Sequence, residues 1–257
     1  MIKDIIFTVA HNKRLLPTVF ELKLTTKEPL PFMRAGQFVH IETGCSAMPL
    51  RRPFCLHKYD KNSITLIVAI VGKGTELLAA LKKGDTLKGI IPCGNGFVLK
   101  GNHKKVVLVG GGIGCAPLLG VPQDYPDREY RSYLGFSCAE MVLFKKDFAK
   151  VSKVTVITED GKCGIKGFVT DALKQDISSG EFIPDVILAC GAHGMIKAVD
   201  KVARDFKIPA YMTGEERMGC GIGACLVCAC AVRENGEIKN KKACLDGPVF
   251  LLEDMVL

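Results

Sequence analysis

Apolar positions change their period twice along this chain. In the first hundred or so residues, short runs rich in β-branched and aromatic side chains (Ile2 to Val9, Val19 to Leu24, Gln37 to Glu42, Phe54 to Lys58, Ile64 to Val71) are separated by Pro, Gly and Asn. That punctuation predicts a small antiparallel β-barrel, and a polar break from His11 to Arg14 leaves no uninterrupted apolar leader. One helix interrupts the pattern: Thr75 stands where an N-cap belongs, Glu76 to Leu81 follow, and Gly84 stops the run.

From Lys104 onward the apolar runs become continuous. Val106 to Val109, Arg131 to Phe136, Val154 to Thr158 and Asp185 to Cys190 alternate with amphipathic stretches at Glu140 to Phe148, Phe168 to Ile177 and Met195 to Phe206. Buried strands alternating with helices predict a doubly wound parallel sheet. Its first crossover is thin, because Gly120 to Arg128 holds two prolines, so a short or irregular helix is expected there. Beyond Tyr211 too little periodic apolar sequence remains for an independent core, which suggests an appendage stabilised by metal. The expected fold class is therefore α+β and multidomain: an antiparallel barrel over 1–101, a doubly wound α/β domain over 102–210 and a small C-terminal domain over 211–257.

Composition sharpens this. With 48% hydrophobic and 24% charged residues the chain is neither disordered nor low in complexity, and no repeat is evident. Its 12 cysteines make the compartment matter. No uninterrupted apolar leader follows Met1, and the longest uncharged stretch, Val106 to Gln123, carries too many glycines and prolines to span a membrane. A soluble cytoplasmic protein with reduced thiols is expected, so clustered cysteines point to metal. The net charge of +8 fits nucleotide ligands or a solvated surface equally; the scattered lysines, with no basic tract among aromatics, make no case for nucleic acid.

Chemistry concentrates in the tail. Cys220, Cys225, Cys228 and Cys244 are separated by four, two and fifteen residues, the plant-type 2Fe-2S spacing, and Gly219, Gly221, Gly223 and Ala224 leave backbone N–H groups free to reach sulfur. Four thiolates also suit structural zinc, which more often uses two C-x2-C pairs. Cys230 is packed beside the cluster or is a spare ligand; packing is the preferred reading.

Elsewhere, Gly110, Gly111, Gly112 and Gly114 follow a buried strand, where glycines admit a phosphate or simply a tight turn. Arg51, Arg52, Pro53, Phe54 and Cys55 offer a guanidinium fork beside an aromatic ring, and Gly72 to Thr75 opens a helix that could meet the same pyrophosphate. Cys190, Gly191 and Met195 end a parallel strand, where such sheets bind ligands, although a buried thiol is more often mere packing. Glu159 and Asp160 end another strand; a carboxylate there suits a ribose 2′-OH and repels a 2′-phosphate. The five histidines, at 11, 40, 57, 103 and 193, read as structural or surface groups, and no catalytic residue or triad can be assigned.

In order, these segments resemble the ferredoxin-reductase-like flavoproteins, and with the tail the chain resembles the electron-transfer subunits of NAD-dependent (type B) dihydroorotate dehydrogenases. The resemblance rests on R-R-P-F (51–54), V-G-K-G-T (71–75), G-N-G-F (94–97), G-G-G-I-G (110–114), L-G-F (134–136), G-F-V-T-D (167–171), E-E-R-M-G-C-G-I-G-A-C (215–225) and C-L-D-G-P-V-F (244–250). It implies FAD held by Arg52, Pro53, Phe54, Cys55, Ile67, Val68, Ala69, Gly74 and Thr75, one 2Fe-2S cluster on Cys220, Cys225, Cys228 and Cys244, and NAD as substrate. Cys55 departs from a usual Ser, and Ala69 stands near a commonly basic position. The implied partner is an FMN-containing catalytic subunit, two of each chain forming a heterotetramer, with no nucleic acid or membrane involved. A relay subunit of a sulfide- or ferredoxin-linked oxidoreductase would share the same cofactors.

Overall fold

Two seven-stranded sheets carry the fold, described by a computed structural model over residues 2–257. The first is antiparallel, built from β1 (Lys3–Leu16), β2 (Val19–Thr25), β3 (Phe38–Ile41), β4 (Arg52–Cys55), β5 (Lys58–Tyr59), β6 (Ser63–Ala69) and β7 (Thr86–Cys93) in the order β4-β3-β7-β1-β2-β6-β5. The sheet curls until β4 lies against β6, which puts Phe7, Phe20, Leu22, Val39, Ile41, Leu66 and Val68 in one core. The polar stretch His11 to Arg14 does not end a strand. β1 runs through it, paired with β2 and bulged between Val9 and His11 and between Arg14 and Leu16, because the backbone ladder tolerates polar side chains on a solvated face. The run expected from Phe54 to Lys58 is divided at Leu56 and His57 into β4 and β5.

Helix α1 (Lys73–Ala79) follows β6. Its N-cap is Gly72, not Thr75. Thr75 sits one turn inside, where its hydroxyl accepts from the N–H groups of Val71 (2.9 Å) and Gly72 (3.2 Å) and donates to the Gly72 carbonyl (2.8 Å). The turn is closed from within the helix, as in a capping box read backwards.

The second sheet contains β8 (Lys105–Gly111), β9 (Glu129–Phe136), β10 (Lys153–Thr158), β11 (Ile165–Lys166), β12 (Val186–Cys190) and β13 (Ala210–Thr213), all parallel, closed at one edge by the antiparallel β16 (Val249–Leu251). The order β11-β10-β9-β8-β12-β13-β16 reverses direction between β8 and β12, the switch point at which doubly wound sheets leave a crevice. Val106, Val107, Leu108 and Val109 are wholly buried on the two faces of β8, each worth about 1.5–3 kcal/mol by upper-bound area reckoning.

The first crossover is irregular, as expected: two short helices, α2 (Cys115–Leu118) and α3 (Gly120–Asp124). The amphipathic stretch Glu140 to Phe148 is not one helix. It forms a 3₁₀ turn at Ala139–Met141 and a single turn, α4 (Lys145–Phe148), because Phe144 takes a left-handed conformation (φ 61°) that breaks the helix between them. The remaining helices, α5 (Val169–Ser178) and α6 (His193–Phe206), pack Leu173, Ile177, Ile196 and Val199 against Val107, Val109 and Tyr133.

By contact density the chain forms two compact units. One comprises the chain up to Gly96 with Glu215–Cys230 and Asn240–Pro248; the other comprises Phe97–Gly214 with Ala231–Lys239 and Val249–Leu257. The tail is thus shared between them, and its own regular structure is a two-stranded sheet of β14 (Ala229–Glu234) and β15 (Glu237–Lys242).

Candidate functional site

Around the cysteines, backbone conformation creates a binding shape. Gly221 and Gly223 adopt φ of +72° and +84°, values that turn successive N–H groups to one side of the chain. The N–H groups of Ile222 (3.5 Å), Ala224 (3.3 Å) and Cys225 (3.4 Å) point at the Sγ of Cys220, and that of Gly223 (3.1 Å) at the Sγ of Cys244. The N–H of Cys220 points at the Sγ of Cys225 (3.3 Å), and the thiols of Cys228 and Cys244 are 3.2 Å apart. Burial opposes ionisation of Cys220, but the N–H groups of Ile222 and Cys225 outweigh it and bring its pKa down to about 6. A loop prepared for thiolates fits an anionic iron–sulfur centre.

Cys230 lies outside this cage. It is buried, and its Sγ faces the Lys241 carbonyl at 3.4 Å. The loop bearing Cys244 is held separately. Asn95 donates from its N–H to the Gly247 carbonyl (2.7 Å) and from Nδ2 to the Asp246 carbonyl (3.0 Å), and the Asp246 carboxylate accepts the N–H of Lys242 (2.7 Å). Gly94 leaves no room for a side chain against Pro248.

On the same unit, β4, the end of β6 and the start of α1 converge. The Arg52 guanidinium lies over Gly74, where a methyl group would come within 3.0 Å of its Nε, and Nη1 donates to the Leu50 carbonyl at 2.6 Å. The two segments expected to share a pyrophosphate are therefore adjacent. Phe54 is half-buried against the barrel core on the face shared with Val39, whereas Pro53 and Cys55 point to the opposite face. Val68 also points into the core and pairs with Phe20 of β2, while Ile67 and Ala69 alternate outward. The Thr75 hydroxyl is spent within its own turn.

In the other unit, the glycines and the C-G-x-x-x-M segment meet at the switch point. Gly110 pairs with Cys190, and a methyl on Gly114 would lie 2.6 Å from the Cys190 carbonyl oxygen. A methyl on Gly111 would lie 2.8 Å from the Met195 Sδ, and one on Gly110 2.7 Å from the Cys115 Sγ. Gly112 is different, with φ +54° and open space around it. Glu159 is exposed at the end of β10, but Asp160 is committed to its turn, accepting the N–H groups of Lys162 (3.0 Å) and Ala139 (3.3 Å).

Sequence reasoning read His40 only as a structural or surface group and gave Asn95 no role. His40 is wholly buried in β3, beside an irregularity in its pairing with β7, and neither ring nitrogen has a side-chain partner; burial holds its pKa below the usual histidine value. Its one signal was a lone polar residue inside the apolar run Phe38 to Ile41. Asn95 gave no signal beyond its place in G-N-G-F.

Known proteins resemble this chain. Residues 215–256 match the family model described as the iron–sulfur cluster binding domain of dihydroorotate dehydrogenase B. The chain is 39% identical over 264 residues, covering 100% of both chains, to the electron transfer subunit of dihydroorotate dehydrogenase B (NAD(+)) of Geobacillus sp. (strain WCH70). Among solved structures it resembles the NADH-dependent reduced ferredoxin-NADP oxidoreductase studied for flavin-based electron bifurcation, with a TM-score of 0.86, 27% identity and coverage of 97% of this chain and 89% of that one. A ferredoxin NADP+ reductase from Neisseria gonorrhoeae with bound FAD and NADP shares the fold, at TM-score 0.65 and 17% identity over 79% of this chain and 92% of that one.

Proposed function

Starting from the fact that the chain belongs to the family of electron transfer subunits of NAD-dependent dihydroorotate dehydrogenase B, we propose which of its residues do each part of the work. It is an oxidoreductase subunit of pyrimidine biosynthesis, with FAD and one 2Fe-2S cluster as cofactors and NAD as substrate. A flavin exchanges electrons in pairs with a nicotinamide and singly with an iron–sulfur cluster, so FAD stands between the other two. The subunit's name implies a catalytic partner.

Cys220, Cys225, Cys228 and Cys244 hold the cluster, and the N–H groups from Ile222 to Cys225 stabilise its charge. Arg52, over Gly74, takes the flavin pyrophosphate. Pro53, Phe54 and Cys55, with Ile67, Val68, Ala69 and Thr75, shape the pocket around the ring and ribityl chain. Gly110, Gly111, Gly112 and Gly114, with Cys190 and Gly191, let the dinucleotide approach backbone at the switch point, and Glu159 receives the ribose hydroxyl. The partner is an FMN-containing subunit in a complex of two chains of each kind, in the cytoplasm; among the described residues no helix is long and apolar enough to cross a membrane. It docks beside the cluster, where Ile222, Leu226 (63% exposed), Val227 (56%) and Leu245 surround the cysteine loop with apolar surface.

The carrying observation is the set of backbone N–H groups aimed at cysteine sulfur inside the segment matched by the iron–sulfur family. The test is reconstitution with an FMN catalytic subunit: dihydroorotate should reduce NAD, and the cluster should give a reduced 2Fe-2S EPR signal. A complex with both cofactors that reduced NAD only from sulfide or reduced ferredoxin would move the chain to the related relay subunits. The likeness to the bifurcating reductase favours that second reading, but at 27% identity against 39%.

A further inference from the structure

His40 is a fully buried histidine with no side-chain partner at either ring nitrogen, so its ring answers only to the backbone around it. Its strand neighbours Val39 and Ile41 face the barrel core, so the His40 ring takes the other face of the sheet, the one it shares with Pro53 across the ladder. What covers that face is the first turn of the cysteine loop. Gly221 lies directly on the ring, and a methyl group at that position would fall on Nδ1. Two carbonyls face the imidazole: that of Cys220, the first cysteine of the loop, and that of Arg51, which leads into β4. The loop's other anchor is independent, because Asn95 holds Asp246 and Gly247 from β7's far end.

Resting on the reading that Cys220 binds the cluster and that β4 contacts FAD, we propose that His40 is a positioning residue for electron transfer between the two. Its ring sits between the start of the flavin strand and the first cluster ligand, so it sets how closely and at what angle the cluster stands to the flavin. Gly221 is required there on two counts, its left-handed backbone and its contact with the ring. Because the Cys244 loop keeps its own anchor, altering His40 should displace the cluster without releasing it.

The experiment uses the isolated chain loaded with FAD and cluster, with NADH as reductant under anaerobic conditions. Flavin and iron content, the EPR spectrum of the reduced cluster, and the rate at which NADH reduces the cluster are compared in wild type, His40→Leu and His40→Gln. The Leu variant should retain flavin and iron, shift the EPR g-values, and slow cluster reduction roughly 10- to 100-fold, the range usual for groups that orient metal ligands. The Gln variant, with a donor and an acceptor of similar reach, should recover most of the rate. A Leu variant with wild-type spectrum and rate overturns the proposal. Should that variant fail to hold its cofactors, His40→Asn decides: its carboxamide is polar but too short to reach both carbonyls, so it should keep flavin and iron, shift the g-values and slow cluster reduction. An Asn variant with wild-type spectrum and rate overturns the proposal as well. A wild-type chain lacking any 2Fe-2S signal would instead remove the functional reading beneath it.

Discussion

Glycine is dense both in the cysteine loop and at the carboxyl edge of the parallel sheet, yet the two regions use it for different reasons. At Gly221 and Gly223 the backbone is left-handed, and the glycine makes N–H groups available to sulfur. At Gly110, Gly111 and Gly114 the φ values are ordinary, and glycine is present because backbone carbonyls, Met195 or Cys115 occupy the space of a Cβ. The loop is thus shaped for a ligand with little core of its own, whereas the sheet edge is shaped by packing that exists without one. Removing a ligand should therefore undo the first region alone, whereas adding an atom damages both, at Gly221 against the His40 ring and at Gly114 against the Cys190 carbonyl.

The largest effect expected is from Cys225→Ser. Cys225 is the exposed member of the four, so its loss should abolish the cluster without disturbing the barrel. Iron and the EPR signal should vanish, and dihydroorotate-dependent NAD reduction in the reconstituted complex should fall to background. NADH oxidation by an artificial acceptor through FAD should persist. A cluster-free variant with full dihydroorotate-to-NAD activity would falsify the relay.

Gly114→Ala tests the other half of the contrast. Its methyl would meet the carbonyl oxygen of Cys190 at 2.6 Å and the Gly191 Cα at 2.9 Å, backbone atoms with no rotamer to yield. Overpacking of this kind costs about 1–3 kcal/mol. We expect a lower thermal midpoint, a raised KM for NADH and unchanged iron content; an unchanged KM would mean that the switch-point glycines serve packing only.

These two regions were legible in the sequence to different depths. Cysteine spacing is a local property, so the loop could be read from the residues between 220 and 228, and the strand ending in Gly110 announced itself by its apolar run. What escaped notice depends on partners distant in the chain. β7 was missed because Lys88, Gly89 and Pro92 interrupt its alternation, although Gly89 is there to admit Val39, Phe7 and Ile41. His40 and Asn95 acquire meaning only when the tail folds onto them. The helix expected from Glu140 to Phe148 failed on one residue, Phe144, whose left-handed turn no periodicity encodes.

A smaller effect is expected at Glu159. Since Asp160 is already bonded to the Lys162 and Ala139 N–H groups, discrimination between dinucleotides falls to the exposed Glu159 alone. Glu159→Gln should raise kcat/KM for NADPH relative to NADH by about tenfold, the worth of one relieved charge repulsion near the surface. Asp160→Asn should act through its turn and lower stability without changing the ratio. Equal kcat/KM for the two dinucleotides in the wild type would count against any such role.

The smallest effect belongs to Cys230→Ser, and its smallness is informative. Two residues from a ligand, Cys230 could replace Cys228 if the loop merely needed thiols nearby. Its environment argues otherwise: the side chain is buried and its Sγ faces the Lys241 carbonyl, whereas the N–H groups of the loop converge on the Sγ of Cys220 and Cys244. Serine can donate to the same carbonyl at the expense of a slightly smaller, more polar group, a change usually worth less than about 1.5 kcal/mol. Iron content, g-values and dihydroorotate-dependent activity should all match wild type, with only a slight fall in thermal midpoint. Loss of iron would place Cys230 in the cage and make the loop's geometry subordinate to its sulfur count.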